Sequence, residues 1–469
     1  MAEGEAEGTP RDADVTRGGY DIVILLPVGD GVTVASAGGP DEVVSLPRIA
    51  VDGEPDTVPI IAAITGFLGD GHPPPLRVVP LSVPGTRPGL ALVELEPLLE
   101  RRGTQVPRPD GLTRRTLTPS LVASAEPALA RPYLGRWLAD LQGTAGGPGR
   151  PPWSRPGWLA RASAWMADRL AEIGSPLVAV PQIHALWGMS NVIRGETADG
   201  TFYLKGCSPV FPTEAAITRV LAAADPERLP RVVAVDETDN WLLLADVGNS
   251  FVGDAPVARW PDGLVAHAAI QRRWLGRTDE LARAGFERRG LAALASQISA
   301  FPELALLAPM KPESRRLLEV AIPRLIEACE RLTTIGPPEA LVHGDLHPWN
   351  VADVDGRSIV FDWSDSCIGH PFLDLVTYVG RTRDVAARRA CVDAYVAAWS
   401  DVLEQDVVEE AVELSLPLGA LHQVETYRRI AAGVAEDDLW NMAEAGPSYA
   451  EQALAWLEGG LAAEFEVHE

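Results

Sequence analysis

Lysine is almost missing from this 469-residue sequence: Lys205 and Lys311 are the only two, beside 38 arginines. A position that keeps lysine in such a chain asks for a slim ammonium rather than a planar guanidinium fork. Cysteine is nearly as scarce. Cys207, Cys329, Cys367 and Cys391 lie far apart with no Cys-x-x-Cys pair, which excludes a disulfide framework and a cysteine zinc site. No apolar run approaches the ~18 residues of a membrane span, and the first residues are acidic without an apolar core. Positive charge is in deficit, 40 basic residues against 65 acidic, for a formal charge of −25. Such a chain repels phosphate polymers and anionic lipid surfaces. Neither nucleic acid nor membrane is expected as a partner, and the cytoplasm is the expected compartment.

Apolar residues make up 46% of the sequence, enough for packed cores, and the length suits two or three domains. Residues 1–18, rich in Glu, Asp, Gly and Ala, read as a disordered acidic tail. Between 19 and 142 the pattern predicts short strands at 21–28, 32–37, 42–46, 76–83 and 90–95, with helices over 58–68 and 120–142: a small α+β domain. The order of strand, Leu46-Pro47, Gly53 and helix has a faint likeness to a Nudix domain. A working site of that kind needs glutamates on the helix to hold Mg²⁺, and 57–68 contains no Glu or Asp. The likeness therefore implies a degenerate cap, a dimerisation surface that would give a homodimer, or a ligand sensor. A Gly/Pro-rich linker follows at 143–157. An amphipathic helix from 158 then opens a smaller lobe, 158–248. The remainder, 249–469, carries helical periodicity over 264–300, 313–334, 384–404 and 406–432.

The run His343-Gly344-Asp345-Leu346-His347-Pro348-Trp349-Asn350, with Asp362-Trp363 beyond it, contains the densest chemistry. An Asp five positions before an Asn fits one tight loop, on which the carboxylate faces a hydroxyl and the amide oxygen faces Mg²⁺. Asp362 ends the apolar run 358–361 and supplies a second metal-binding oxygen. Upstream, Lys205 closes the apolar run 201–204, and Glu214 opens a segment with Ile217, Val220 and Leu221 on one helical face. Before that strand, Trp187 to Arg194 and the Asp199-Gly200 turn read as a strand-loop-strand unit.

These residues together resemble the aminoglycoside phosphotransferase and choline kinase family, the small-molecule branch of the protein-kinase-like fold. The resemblance covers about residues 158 to 469. It implies an α+β, bilobal kinase-like fold, with ATP and Mg²⁺ as cofactors and a small-molecule hydroxyl acceptor such as an aminoglycoside, amino sugar, sugar or amino alcohol. Asp345 would be the catalytic residue, and Asn350 and Asp362 the metal ligands. Lys205, fixed by Glu214, would steady the phosphates under a loop carrying Ser190 and Asn191. Backbone groups from Leu244 to Asp246 would meet the adenine. His343, His347 and Asp374 would support the loop, with His370 where an Asp is common in the family. Asp365, His422, Tyr427 and Trp440 are candidates to line the acceptor site, and carboxylates at Asp365, Glu425, Asp437 and Asp438 would favour an amine over an acid.

Two other readings stay open at this stage. Gly344-Asp345-Leu346-His347 also matches the start of a binuclear metallophosphoesterase, although no second Gly-Asp loop or Gly-Asn-His-Glu loop follows. The alternative is a pseudokinase-like regulatory module that binds nucleotide without turnover. Its weakness is that Lys205, Glu214, Asp345, Asn350 and Asp362 are all present.

Overall fold

The computed structural model describes residues 20–28, 31–35, 44–51, 56–69, 72–81, 90–95, 112–141, 151–434, 442 and 444–465. The expected acidic tail, most of the Gly/Pro linker, Asp437, Asp438 and Trp440 lie outside them. The chain divides into two compact units, one of residues 1–146 and 154–157, the other of 147–153 and 158–469. Among the described residues no helix is long and apolar enough to cross a membrane.

In the first unit, Tyr20–Leu25 is an inner strand, antiparallel to Arg48–Val51 and parallel to Leu90–Leu95, which pairs with Pro75–Pro80. Successive side chains of a strand point to opposite faces, and both faces are covered here. Ile22 and Ile24 pack with Ile60, Ile64 and Leu68 of the helix Thr57–Leu68, whereas Val23 and Leu25 pack with Leu121, Leu134 and Trp137. Asp56 caps that helix by accepting from the Thr57 amide at 2.6 Å. The single helix expected over 120–142 is instead two, Pro119–Ser124 and Arg131–Leu141. Ala125–Glu126 leaves helical geometry to pair with Val44–Ser45, and Pro127 has no amide hydrogen to carry a helix onward.

The second unit begins with the helix Trp158–Glu172, whose buried Trp158, Ala162, Met166 and Leu170 recur every fourth residue. It seats on an antiparallel sheet in the order Gln182–Leu186, Ser190–Thr197, Gly200–Cys207, Trp241–Ala245, Val232–Asp236. Two glycines permit the close approach. A Cβ on Gly195 would fall 2.4 Å from Met166 Cε, and one on Gly206 would fall 2.6 Å from the Trp158 ring. The Ser190–Thr197 hairpin turns at Ala198-Asp199, one residue earlier than expected, with Gly200 already paired to Thr197.

The rest of the unit is mainly helical. Pro312–Ile335, Val385–Trp399, Gln405–Gly433 and Ala445–Gly459 share one large core that includes Trp363, Phe372, Tyr395, Trp399 and Trp456. The stretch expected as helix over 264–300 is broken into Trp260–Arg273, Thr278–Arg283 and Leu291–Ile298. Gly276 and Gly285 sit at the breaks with φ of 71° and 99°, a conformation glycine adopts without a Cβ penalty.

Candidate active site

Alternation along Gly200–Cys207 buries Phe202 and Leu204 and leaves Lys205 partly open. Its Nζ donates to Glu214 Oε1 and to Asp362 Oδ1, both at 2.7 Å. Glu214, at the start of the helix Glu214–Ala224, has only 1% of its side chain exposed. Burial disfavours the Lys205 ammonium, yet Asp362 and Glu214 together outweigh it and hold the group protonated above the usual lysine range. Burial likewise pushes the Asp362 carboxyl up, but Lys205, with His343 and Ser364, brings it down to about 2. Asp362 is therefore an anion at every physiological pH. Its backbone φ of 63° lies in the left-handed region, where Asp is among the better-tolerated side chains.

The strand Ala340–Val342 delivers the loop that carries Asp345. Asp374 anchors this loop by accepting from the His343 amide at 2.8 Å and the Gly344 amide at 2.9 Å. Two side chains absent from the sequence reading, His267 and Gln271, also reach Asp374 Oδ2, at 2.8 and 3.1 Å. Gln423 donates to the Gly344 carbonyl from the helix Gln405–Gly433. Gly344 has φ +88°, and a Cβ on it would come 2.4 Å from the Asp365 carbonyl. The loop and the Asp365 segment therefore touch backbone to backbone.

Asn350 closes the loop, its Nδ2 donating to the Asp345 carbonyl at 2.9 Å while its own backbone carbonyl accepts from the Phe361 amide at 3.0 Å. The two residues expected to face a metal are thus tied to neighbouring points of one backbone junction. His343 is fully buried, its Nδ1 accepting from the Asp345 amide at 3.3 Å and its Nε2 lying 3.0 Å from the Phe361 carbonyl. Burial holds its pKa down to about 4, so it is a neutral structural link. Both ring nitrogens are committed, which removes the metal-ligand role that the phosphoesterase reading requires.

Asp345, Asp362 and Asp365 line a cleft of about 1090 Å³ together with Lys205, Glu214, Ser190, His347, Trp349, Arg381, Arg383 and Tyr427. Burial first, and then the charge of Asp365, raise the Asp345 carboxyl well above its usual range, with Arg381 opposing. Burial pushes Asp365 up to about 7, while Arg289 pulls the other way. His347 is held down to about 3 by burial and by Arg381. One wall is apolar: Met189, Ile430 and Met442 cluster with Phe211 and Tyr427.

The structure separates the remaining sequence candidates. Ser190 reaches the cleft, its Oγ accepting from the Trp187 indole at 2.6 Å, whereas Asn191 is buried with its Oδ1 unpartnered. In the stretch Leu244 to Asp246 the amides of Ala245 and Asp246 donate to the carbonyls of Arg231 and Thr201, at 3.0 and 3.1 Å. His422 does not join Asp345. It is buried, 4.0 Å from Cys367 Sγ, beside a separate small cavity that Arg289 and Glu425 also line. Glu425 is paired to Arg428 at 2.6 Å and lines the separate cavity, whereas the cleft sets Glu214, Asp345, Asp362 and Asp365 beside Lys205, Arg381 and Arg383. His370 caps the turn Pro371–Asp374 by accepting from the Phe372 amide at 3.3 Å. Arg381 carried no motif signal.

Asp362 and Asn350 offer the donors that Mg²⁺ prefers, an ionised carboxylate and a neutral amide oxygen. The Asn350 amide nitrogen is spent on Asp345, which leaves its oxygen for a cation, and Asp362 Oδ1 is taken by Lys205 and Ser364, which leaves Oδ2. The chemistry of the donor set fits the ion.

Residues 180–410 match the model of the phosphotransferase enzyme family. Similar solved structures include a macrolide 2'-phosphotransferase from Brachybacterium faecium, 19% identical over 61% of this chain and 97% of that one, with a TM-score of 0.41. A choline kinase from Streptococcus pneumoniae is 12% identical over 63% and 98%, with a TM-score of 0.44. A spectinomycin phosphotransferase solved with ADP and spectinomycin is 10% identical over 62% and 98%, with a TM-score of 0.41. No curated protein matches the sequence. The match to the phosphotransferase enzyme family spans the whole arrangement from Lys205 to Asp374.

Proposed function

We propose that the chain is an ATP- and Mg²⁺-dependent kinase that transfers the γ-phosphoryl group to a hydroxyl of a small molecule. The observation that carries this reading is the junction of Lys205, Glu214 and Asp362 in the same cleft as Asp345. Lys205, protonated and fixed by Glu214, is the cation for the α and β phosphates. Asn350 and Asp362 would hold Mg²⁺, which when bound neutralises charge on the β and γ phosphate oxygens. Asp345 orients the acceptor hydroxyl and takes its proton as the new P–O bond forms and the bond to the β-phosphate oxygen breaks. Arg381 favours the ionised form of Asp345 that this task needs. Most of the acceleration would come from positioning and preorganised charge rather than from covalent chemistry.

The apolar wall of Met189, Phe211, Tyr427, Ile430 and Met442 favours an acceptor with an apolar face over a bare sugar. Arg381 and Arg383, with Lys205, offset much of the charge of Glu214, Asp345, Asp362 and Asp365, so charge alone does not select a polycationic acceptor. A screen of ATP consumption against aminoglycosides, macrolides, amino sugars, sugars and amino alcohols tests the function. Turnover with at least one hydroxylated compound, abolished by Asp345→Asn, is the expected result; ATP consumption that persists undiminished in Asp345→Asn would overturn it.

A further inference from the structure

Trp349 stands in the middle of the Asp345 loop with 38% of its surface exposed, and it lines the cleft. Its indole is nonetheless fixed. One side rests against Gly253, where a Cβ would fall 2.4 Å from Cδ2, 2.5 Å from Cε2 and 2.6 Å from Cγ. The Nε1 donates to Asp254 Oδ1 at 2.9 Å, and Trp260 meets the ring edge-on at 6.0 Å. Gly253 and Asp254 belong to the short turn Val252–Asp254, on the segment that leaves the strand Trp241–Ala245 for the helices. That segment is joined to the chain beyond the loop. The Asp353 amide donates to the Ser250 carbonyl at 2.8 Å, Phe251 bridges Ala352, and the Phe251 ring lies 6.0 Å from Phe361.

A large aromatic held on one side and open on the other is a stacking surface that loses little freedom when a ligand arrives. We propose that Trp349 is a positioning residue for the nucleotide, a wall against which its nucleoside part packs. The inference rests on the kinase reading above. Under that reading the phosphates occupy the Lys205 and Asp362 end of the cleft, and the nucleoside extends toward the segment that links sheet to helices. Trp349 is bonded to that segment through Asp254, whereas the groups flanking Asp345 on the acceptor side, Asp365, Arg381 and Tyr427, come from other parts of the chain. Gly253 is required because any side chain there would drive the indole off its seat.

The test is a calorimetric titration of the full chain with Mg-ATP and with magnesium tripolyphosphate, which lacks a nucleoside. Trp349→Ala should weaken Mg-ATP on the order of tenfold, the scale of one lost aromatic stack, and leave tripolyphosphate unchanged. Trp349→Phe should fall between. Equal weakening of both ligands would mean that Trp349 only props the phosphate end, and unchanged Mg-ATP affinity would mean that it touches no nucleotide; either overturns the inference. If Trp349→Ala does not fold, Gly253→Ala displaces the indole and reads the same selective loss. Failure of the unsubstituted chain to bind Mg-ATP would bring down the kinase reading itself.

Discussion

Lys205 and Asp362 are 157 residues apart in sequence and 2.7 Å apart in space. The ammonium is shared between this carboxylate and Glu214, so one strand, one helix and the segment after the Asp345 loop meet at a single positive charge. Removing the charge leaves Glu214, the most buried of the three groups, without a cation. Lys205→Met should lower both nucleotide affinity and thermal stability, and Lys205→Arg should not restore binding, because the guanidinium fork is too broad for the slot between two carboxylates. Calorimetry with Mg-ATP and a melting curve check the two halves; an Arg variant with unchanged affinity would refute the need for an ammonium.

Asp345→Asn keeps the side-chain shape and the Asn350 contact, which goes to the backbone carbonyl of Asp345. Turnover should therefore fall by about 10²-fold or more while Mg-ATP affinity stays near that of the unsubstituted chain. Steady-state kinetics with any acceptor found in the screen provides the measurement.

Asp362→Asn separates charge from conformation. Asn tolerates the left-handed backbone at this position as well as Asp does, so the fold should persist. The variant loses the anion that pairs with Lys205 and would face Mg²⁺, and Mg²⁺-dependent tightening of ATP binding should disappear. A titration of ATP with and without Mg²⁺ decides the matter, and full retention of the metal effect would exclude Asp362 as a ligand.

The loop could be read from the sequence because its chemistry is linear: Asp345, Asn350 and Asp362 lie within one short stretch, and Lys205 is conspicuous in a chain that uses arginine almost everywhere else. The loop's supports could not. Asp374 is met by His267 and Gln271 from 107 and 103 residues away, contacts that depend on how the helix Trp260–Arg273 packs and have no signature in either segment. His422 misled for the opposite reason. A lone imidazole beside Gln423 in an apolar helix looks like a ligand, but successive helical residues point about 100° apart, and only Gln423 turns toward Gly344. The long helix expected over 120–142 failed at Pro127, where pairing with a distant strand overrode local periodicity.

Asp374→Ala should be among the more destabilising single changes in this unit. Two backbone amides, His267 and Gln271 would lose their shared acceptor in a fully buried place, a loss of about 3 kcal/mol or more. Urea unfolding of the variant, with the denaturant slope compared to confirm two-state behaviour, gives the number. A change below about 1 kcal/mol would mean that the loop is held by other contacts.

Asp365 has its pKa raised to about 7 by burial, and its charge in turn raises that of Asp345. A carboxyl whose folded pKa exceeds its unfolded value stabilises the fold at low pH, and that contribution is lost as pH climbs from about 4 through about 7. Activity runs the other way, because Asp345 must be ionised to accept the hydroxyl proton, so kcat/KM should fall as pH is lowered. Asp365→Asn removes both effects at once. Its melting temperature should vary less between pH 4 and 7, and the acid limb of its kcat/KM profile should move to lower pH, since Asp345 no longer ionises beside a second carboxylate. An acid limb that stays in place would show that Asp345 titrates independently of Asp365.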